Sequence, residues 1–402
     1  MCGFIVNFSN NRKDSKIDIN SIKNILCHRG PDNSNFIKID GGLFFHNRLS
    51  IIDLSDEANQ PFISAETGNV IVFNGEIYNY NELKQKYKIS WTTNSDTEVI
   101  IRLFDLLGPR FVEELNGIFS IVIFDKKTRK IYCYRDRLGV KPLFYYINDK
   151  TISLSSEVKG ILPFLKDYDL NYNLIYEYVE YGLLEHNSST FFDKVMKIAP
   201  GHYLEIDVDE MSINEFTYWD VGYNDYSYLS EDDIIEKTYF LLNDSLRLNL
   251  VSDVEVGLSL SSGLDSTLLY GILKNQNANL LKCYTYGFQE KEYDEITRIK
   301  KNKMLNIEDH FHVFMKKGDM LTLLEEAIYF FESPLGGLGT LSVYNMMKEV
   351  SNHGIKVMLA GEGADEVFGG YQYYYNALFR DLIYDKELLS MELNYYNKTH
   401  RN

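Results

Sequence analysis

Cysteine is scarce in this chain: Cys2, Cys27, Cys133 and Cys283 are the only four in 402 residues, and they are widely scattered. That spacing excludes a disulfide framework and a clustered cysteine metal site, and it suits free thiols in a reducing cytosol. Positive charge is also short, with 41 basic against 58 acidic residues and a formal net charge of −17. Broad binding to nucleic acid or to an anionic membrane is therefore disfavoured, and any phosphate ligand needs a local cradle. No run of about 18 apolar residues occurs, and no basic-led apolar segment opens the sequence, so neither a membrane span nor a signal peptide is read. A cytoplasmic, soluble protein is expected. Internal repeats and low-complexity tracts are missing as well.

Apolar residues are not short, at 45% of the chain, which is enough for real cores. The length suits two domains of about 200 residues each. Up to residue 205 the pattern is short β-rich runs, Phe4–Phe8, Val70–Phe73, Phe119–Phe124, Ile131–Tyr134 and Ile152–Leu154, separated by polar turns. Ser95-Asp96-Thr97-Glu98 reads as a capping box opening a helix with Val99, Leu103, Leu106 and Leu107 on its apolar face. Residues 206–230 are polar and aromatic without a clean period and read as a linker. From residue 231 to 402 the style changes to strand, glycine turn, helix: Val254–Leu260, Ser261–Gly263, then Leu264–Leu273. Further strands are expected at Cys283–Tyr286 and Ile355–Leu359, an alternation that implies a parallel sheet with crossover helices.

Cys2 directly follows Met1. Methionine is trimmed before small residues, so the expected mature chain begins with a cysteine carrying a thiol and a free α-amine. A thiol of pKa about 8.5 can pass its proton to an amine of about 8 near neutral pH. One residue then supplies nucleophile and base. Several segments accompany it: His28-Arg29-Gly30-Pro31-Asp32, His46-Asn47-Arg48-Leu49-Ser50-Ile51-Ile52-Asp53, Asn74-Gly75-Glu76-Ile77-Tyr78-Asn79, Ser95-Asp96-Thr97-Glu98, Arg135-Asp136-Arg137-Leu138-Gly139-Val140-Lys141-Pro142-Leu143 and Ser156-Glu157-Val158-Lys159. Taken singly, Asn74-Gly75 is an ordinary turn pair, Asp96 and Glu98 suit a helix N-terminus, and Arg48 suits a surface ion pair.

Together and in this order they make the first half resemble class II, N-terminal-nucleophile glutamine amidotransferases. The whole chain resembles the glutamine-hydrolysing asparagine synthetase family. The resemblance implies an αββα sandwich followed by a Rossmann-like α/β domain. It also implies an oxyanion hole made by the Asn74 side-chain amide and the Gly75 N–H, which acyl transfer from glutamine requires. Arg48 would hold the α-carboxylate of glutamine, Glu76 and Asp96 its α-ammonium, and Leu49, Ser50, Ile51 and Ile52 would line the bound molecule.

Ammonia does not condense with a carboxylate at neutral pH without an activated leaving group, and adenylation supplies one. Leu260-Ser261-Ser262-Gly263-Leu264-Asp265-Ser266-Thr267, between strand and helix, is suited to cradle pyrophosphate. It resembles the PP-loop of ATP pyrophosphatases, with Ser262 in place of the first glycine. If that position needs positive φ, serine adds strain of about 1–2 kcal/mol. The lack of a lysine after the glycine separates the loop from a Walker A motif. Tyr284-Thr285-Tyr286-Gly287-Phe288, followed by Tyr293-Asp294-Glu295, resembles the family strand that packs on adenine, with Tyr286 against the base. Gly361-Glu362-Gly363-Ala364-Asp365-Glu366-Val367-Phe368-Gly369-Gly370-Tyr371 is a long match to the family. By resemblance Ala360 and Gly361 touch ATP, Glu362 assists formation and aminolysis of the acyl-adenylate, and Asp265 and Asp365 hold Mg2+.

Family members continue well beyond the equivalent of Asn402, into a region that helps bind the acceptor. A fragment, a separate chain supplying the remainder, or a dispensable lobe would each account for this. The leading expectation is synthesis of asparagine from glutamine, aspartate and ATP. A different carboxylate acceptor, such as a sugar acid or natural product, and a glutaminase-only or regulatory subunit are the competing expectations. Homodimers and an apolar ammonia channel are further implications of the resemblance.

Overall fold

The β-rich runs of the first half become two antiparallel sheets. In chain order the strands are β1 (Gly3–Ser9), β2 (Asn33–Ile39), β3 (Gly42–Arg48), β4 (Phe62–Ile63), β5 (Val70–Ile77), β6 (Gly117–Asp125), β7 (Lys130–Arg135), β8 (Phe144–Ile147), β9 (Thr151–Ser155), β10 (Met196–Lys197), β11 (His202–Asp207) and β12 (Ser212–Thr217). One sheet has the order β10-β8-β9-β1-β3-β2 and the other β12-β11-β7-β6-β5-β4. The computed structural model describes residues 1–9, 19–276, 282–287, 295–302, 305, 307–315 and 317–400.

Period-two alternation sorts these strands into layers. Phe4, Val6, Phe8 and Phe44 of the first sheet meet Val70, Val72, Val122, Phe124, Ile131 and Cys133 of the second in one buried cluster. The intervening residues face outward and are covered by helices. Ile5, Leu43 and Phe45 pack against Ile22 and Leu26 of α1 (Ile19–Leu26). On the other side, Ile71, Phe73, Ile121 and Ile123 pack against Leu83 of α2 (Tyr80–Lys86) and Val99, Ile100 and Leu103 of α3 (Asp96–Leu107). The result is the αββα sandwich, and each fully buried side chain in it contributes about 1.5–3 kcal/mol.

Two local readings change. At α3, Ser95 caps the Thr97 N–H at 3.0 Å, but Glu98 does not close a capping box. Its carboxylate instead accepts from the N–H groups of Thr92, at 2.9 Å, and Thr93, at 2.7 Å, ordering the turn ahead of the helix. Leu106 and Leu107 are exposed rather than core. The stretch read as a linker from residue 206 still carries sheet: β11 runs to Asp207 and β12 spans Ser212–Thr217. The polarity of β12 reflects its place at the sheet edge, where all of its residues are exposed.

Between β9 and β10 lies α4 (Tyr172–Tyr181), whose first turn is capped by Asn171, and the last sandwich strand is followed by α5 (Glu231–Asn249). The latter opens with a full capping box between Ser230 and Asp233. The chain forms two compact units, Met1–Val256 with Val313–Val357, and Gly257–His312 with Met358–Asn402. The second unit is built on a four-stranded sheet of order β15-β14-β13-β16. Its strands are β13 (Val256–Ser259), β14 (Lys282–Gly287), β15 (His310–Phe314) and β16 (Val357–Leu359). Strands β13 and β14 pair in parallel, and β13 feeds α6 (Leu264–Asn275) through the serine-glycine turn.

Candidate active site

Cys2 lies half-buried at the entry to β1, beside the loop that leaves β3. The Leu49 N–H donates to Cys2 Sγ at 3.4 Å, and the thiol approaches the Leu49 carbonyl at 3.6 Å. Burial pushes the thiol pKa up, and the amino terminus and Arg48 work against that rise. Burial also lowers the amino group of Met1, the residue ahead of Cys2, to about 5.

The main chain at Cys2 is tied down by a charged cluster. Arg29 Nε donates to the Cys2 carbonyl at 2.9 Å while its Nη1 donates to Glu157 Oε1 at 2.7 Å. His28 Nε2 lies 2.9 Å from the same oxygen, and Lys159 Nζ is 2.6 Å from Oε2. Burial raises the Glu157 pKa, but these cations outweigh it and hold the carboxyl down at about 2. Gly30 lets this turn lie on β3, because a Cβ there would stand 2.2 Å from the Asn47 carbonyl. In the sequence, both segments stand out as motifs, but only their opposite charge hints that they meet.

Asn74 and Gly75 do not form a turn; both lie inside β5, paired with Ser120 and Phe119 of β6. On its other edge β5 is covered by β4 only at Val70 and Ile71. Beyond that, the Phe73 N–H donates to Gln60 Oε1 at 2.6 Å and the Ile77 N–H to Asp96 Oδ2 at 3.1 Å. Alternate residues of a strand aim their N–H groups at the same edge, so the Gly75 N–H points there as well. Asn74 Nδ2 is buried and has no hydrogen-bond partner among the described residues. An unpaired buried donor is costly, of order 1–3 kcal/mol, unless a ligand takes it. Gly75 itself is compelled by space: a Cβ would lie 2.1 Å from the Ile118 carbonyl.

The two carboxylates assigned to the glutamine ammonium share one electrostatic neighbourhood. Burial raises Glu76 to about 7, with Lys141 opposing and Asp96 adding to the shift. Burial likewise raises Asp96 to about 6, against the Ile77 and Thr97 N–H groups. Such a pair is short of positive charge, and a bound ammonium supplies it. Arg48 is already engaged: Nη1 donates to the Ser55 carbonyl at 2.7 Å and Asn59 Oδ1 at 2.8 Å, and Nη2 donates to the carbonyls of Ile52 and Asp53. It therefore braces the loop containing Ile51 and Ile52. Ser50 donates its N–H to Asp32 Oδ2 at 2.8 Å.

In the second unit the serine-glycine turn is self-organised. Ser266 Oγ accepts from the Ser261 N–H at 3.0 Å and sits 2.9 Å from Ser261 Oγ, which takes the Gly263 N–H at 3.1 Å. Ser262 is not among the non-glycine residues with positive φ, so the strain expected from losing glycine there does not arise. Its N–H donates to Glu295 Oε2 at 2.6 Å. Gly361 brings the second long motif against this turn, with Asp265 Cβ 3.1 Å from where its own Cβ would be. Gly370 packs likewise on the Asp365 carboxylate and donates its N–H to the Asp365 carbonyl at 3.0 Å. Leu260 is buried, Tyr286 and Asp365 are half-buried, and Ala360 and Glu362 are exposed. Phe288, Tyr293 and Asp294 lie outside the described residues. Among the described residues no three His, Cys, Asp or Glu side chains cluster as metal ligands. Mg2+ needs only one or two carboxylates when phosphates supply the remaining oxygens, a requirement that Asp265 and Asp365 fit.

A family model described as a glutamine amidotransferase domain matches residues 1–219, and one described as asparagine synthase matches residues 238–399. The chain belongs to the glutamine-hydrolysing asparagine synthetase family. Among relatives of this family, a putative asparagine synthetase of Methanocaldococcus jannaschii is 35% identical over 95% of this chain and 78% of its own length. Asparagine synthetase 1 of Bacillus subtilis is 30% identical over 93% of this chain. The amidase chry2 of Gibberella zeae is 33% identical over 86% of it. The chain spans 59% and 54% of the latter two proteins. No helix among the described residues is long and apolar enough to cross a membrane.

Proposed function

We propose that this chain is an ATP-dependent, glutamine-hydrolysing amide ligase that makes asparagine from aspartate. The observation that carries the first half-reaction is the buried, unpartnered Asn74 Nδ2 beside the open β5 edge at Gly75. With Met1 removed, the Cys2 α-amine takes the thiol proton, and the thiolate attacks the side-chain carbonyl of glutamine. Asn74 Nδ2 and the Gly75 N–H hold the resulting oxyanion. Ammonia leaves with a proton from the amine, and water then releases glutamate from the thioester. Glu76 and Asp96 hold the substrate ammonium, and Arg48 presents its remaining face to the carboxylate.

In the second unit ATP is a co-substrate: the aspartate carboxylate displaces pyrophosphate from the α-phosphorus, giving β-aspartyl-AMP, and ammonia then displaces AMP. Ser261, Ser262, Gly263 and Ser266 cradle the pyrophosphate, Tyr286 packs on the adenine, and Glu362 assists the acyl chemistry. Asp265 and Asp365 would hold Mg2+, which when bound screens phosphate charge.

A joint assay of glutamate, AMP and asparagine, with and without aspartate, tests both halves. Aspartate-dependent AMP and asparagine are expected, and Cys2→Ala should abolish glutamate formation from glutamine while sparing synthesis from added ammonia. Glutaminase activity surviving in Cys2→Ala would overturn the first half. The amidases among the relatives favour a second reading, with a different carboxylate as acceptor, which predicts AMP release with that acid and none with aspartate.

A further inference from the structure

The loop leaving β3, from Leu49 to Asp53, has no regular secondary structure, so its backbone groups must find partners elsewhere. Cys2 meets Leu49, and Arg48 takes the carbonyls of Ile52 and Asp53. The remaining ties come from Asp32, which accepts the Ser50 N–H, and from two residues far along the chain. Lys356 Nζ lies 2.6 Å from Asp32 Oδ2, the same oxygen that accepts the Ser50 N–H, and 3.4 Å from the Ser50 carbonyl. Asp253 binds the loop twice: its N–H donates to the Ile51 carbonyl at 3.0 Å, and its carboxylate accepts the Asp53 N–H at 2.8 Å. Both residues belong to the first compact unit, yet both fall outside residues 1–219, the extent of the amidotransferase match.

We propose that Asp253 and Lys356 are positioning residues of the glutamine site, fixing the loop that touches the Cys2 thiol and lines bound glutamine. The proposal rests on the glutaminase reading above. Neither residue touches the reacting atoms. Asp253 fixes the height of the loop at Ile51 and Asp53, while Lys356 donates to the Ser50 carbonyl and pairs with Asp32, whose carboxylate accepts the Ser50 N–H. A loop freed at these points keeps its lining residues but samples more positions, so binding suffers more than chemistry. Asp253 lies just ahead of β13 and Lys356 immediately ahead of β16, and these strands are neighbours in the four-stranded sheet.

The test compares full-length wild type with Lys356→Met, Lys356→Arg and Asp253→Asn in steady-state glutaminase kinetics, with thermal melting and amide hydrogen exchange of Ser50 and Asp53. Lys356→Met and Asp253→Asn should raise KM for glutamine about tenfold while kcat stays within about threefold, as loss of charge-assisted hydrogen bonds to a binding loop implies. Exchange at Ser50 should quicken in Lys356→Met and at Asp53 in Asp253→Asn, and Lys356→Arg should restore most of the lost affinity. Unchanged KM and unchanged exchange in active variants would overturn the positioning role and leave the glutaminase reading intact. A parallel loss of kcat and melting temperature, with no split from KM, would overturn it in favour of general stability. An inactive wild type whose Cys2 also resists a glutamine-analogue affinity label would overturn both readings.

Discussion

Asn74 carries a donor that the fold itself leaves unsatisfied, which is a cost that only a ligand or transition state offsets. Asn74→Ala should therefore lower glutaminase kcat by about 10²–10³-fold with a small change in KM, since the amide meets charge mainly in the transition state. Steady-state kinetics of that variant are the check. Glu76 sets a pH dependence. Burial raises its pKa to about 7, so it is increasingly neutral below that value. KM for glutamine should rise as pH falls from 8 to 6, and Glu76→Gln should flatten that slope. The stability sign is the reverse of a salt-bridged acid: the folded state keeps a proton that the unfolded chain releases near the ordinary value of 4.5. Stability is thus lost as pH rises from there to about 7, and Glu76→Gln should gain roughly 1–2 kcal/mol at pH 8 by denaturant titration.

Strand β5 shows how an element can conceal its purpose from sequence. Asn-Gly is a common turn pair, and nothing local announces that it continues a strand. The reason lies across the sheet, where the Ile118 carbonyl comes so close that only a hydrogen fits at position 75. Gly75→Ala should force β5 and β6 apart and strain a φ of +155°, costing about 3 kcal/mol or more in a melting experiment. The cap of α3 was misleading for a related reason. Ser95 and Glu98 have capping-box spacing, but the N–H groups of Thr92 and Thr93 compete successfully for the carboxylate. Where alternation was strong, as in Phe4–Phe8 or Phe119–Phe124, the strands and their buried faces were readable directly.

At the scale of the molecule, two kinds of information were readable to different degrees. Contiguous signals, such as the PP-loop between a strand and a helix, located the serine-glycine turn and the change of architecture after the sandwich. Contacts of long sequence separation were not readable. The ties from Asp253 and Lys356 to the Leu49–Asp53 loop lie in no motif, and the Glu157 cluster joins two motifs whose pairing only opposite charge suggests. An exposed edge strand such as β12 is polar on both faces and resembles a linker in sequence. At Ser262 a glycine motif suggests a positive-φ requirement in sequence, whereas the backbone there does not impose it.

The short reach of β4 has one more effect, on association between molecules. An uncovered sheet edge normally invites a strand from another copy to add itself, and that is a route to aggregation. Here the side chains of Gln60 and Asp96 already occupy the N–H groups of Phe73 and Ile77 on either side of Gly75. A foreign strand would need all three positions in register and finds two of them taken. The edge is left open for one small molecule and closed to a polypeptide.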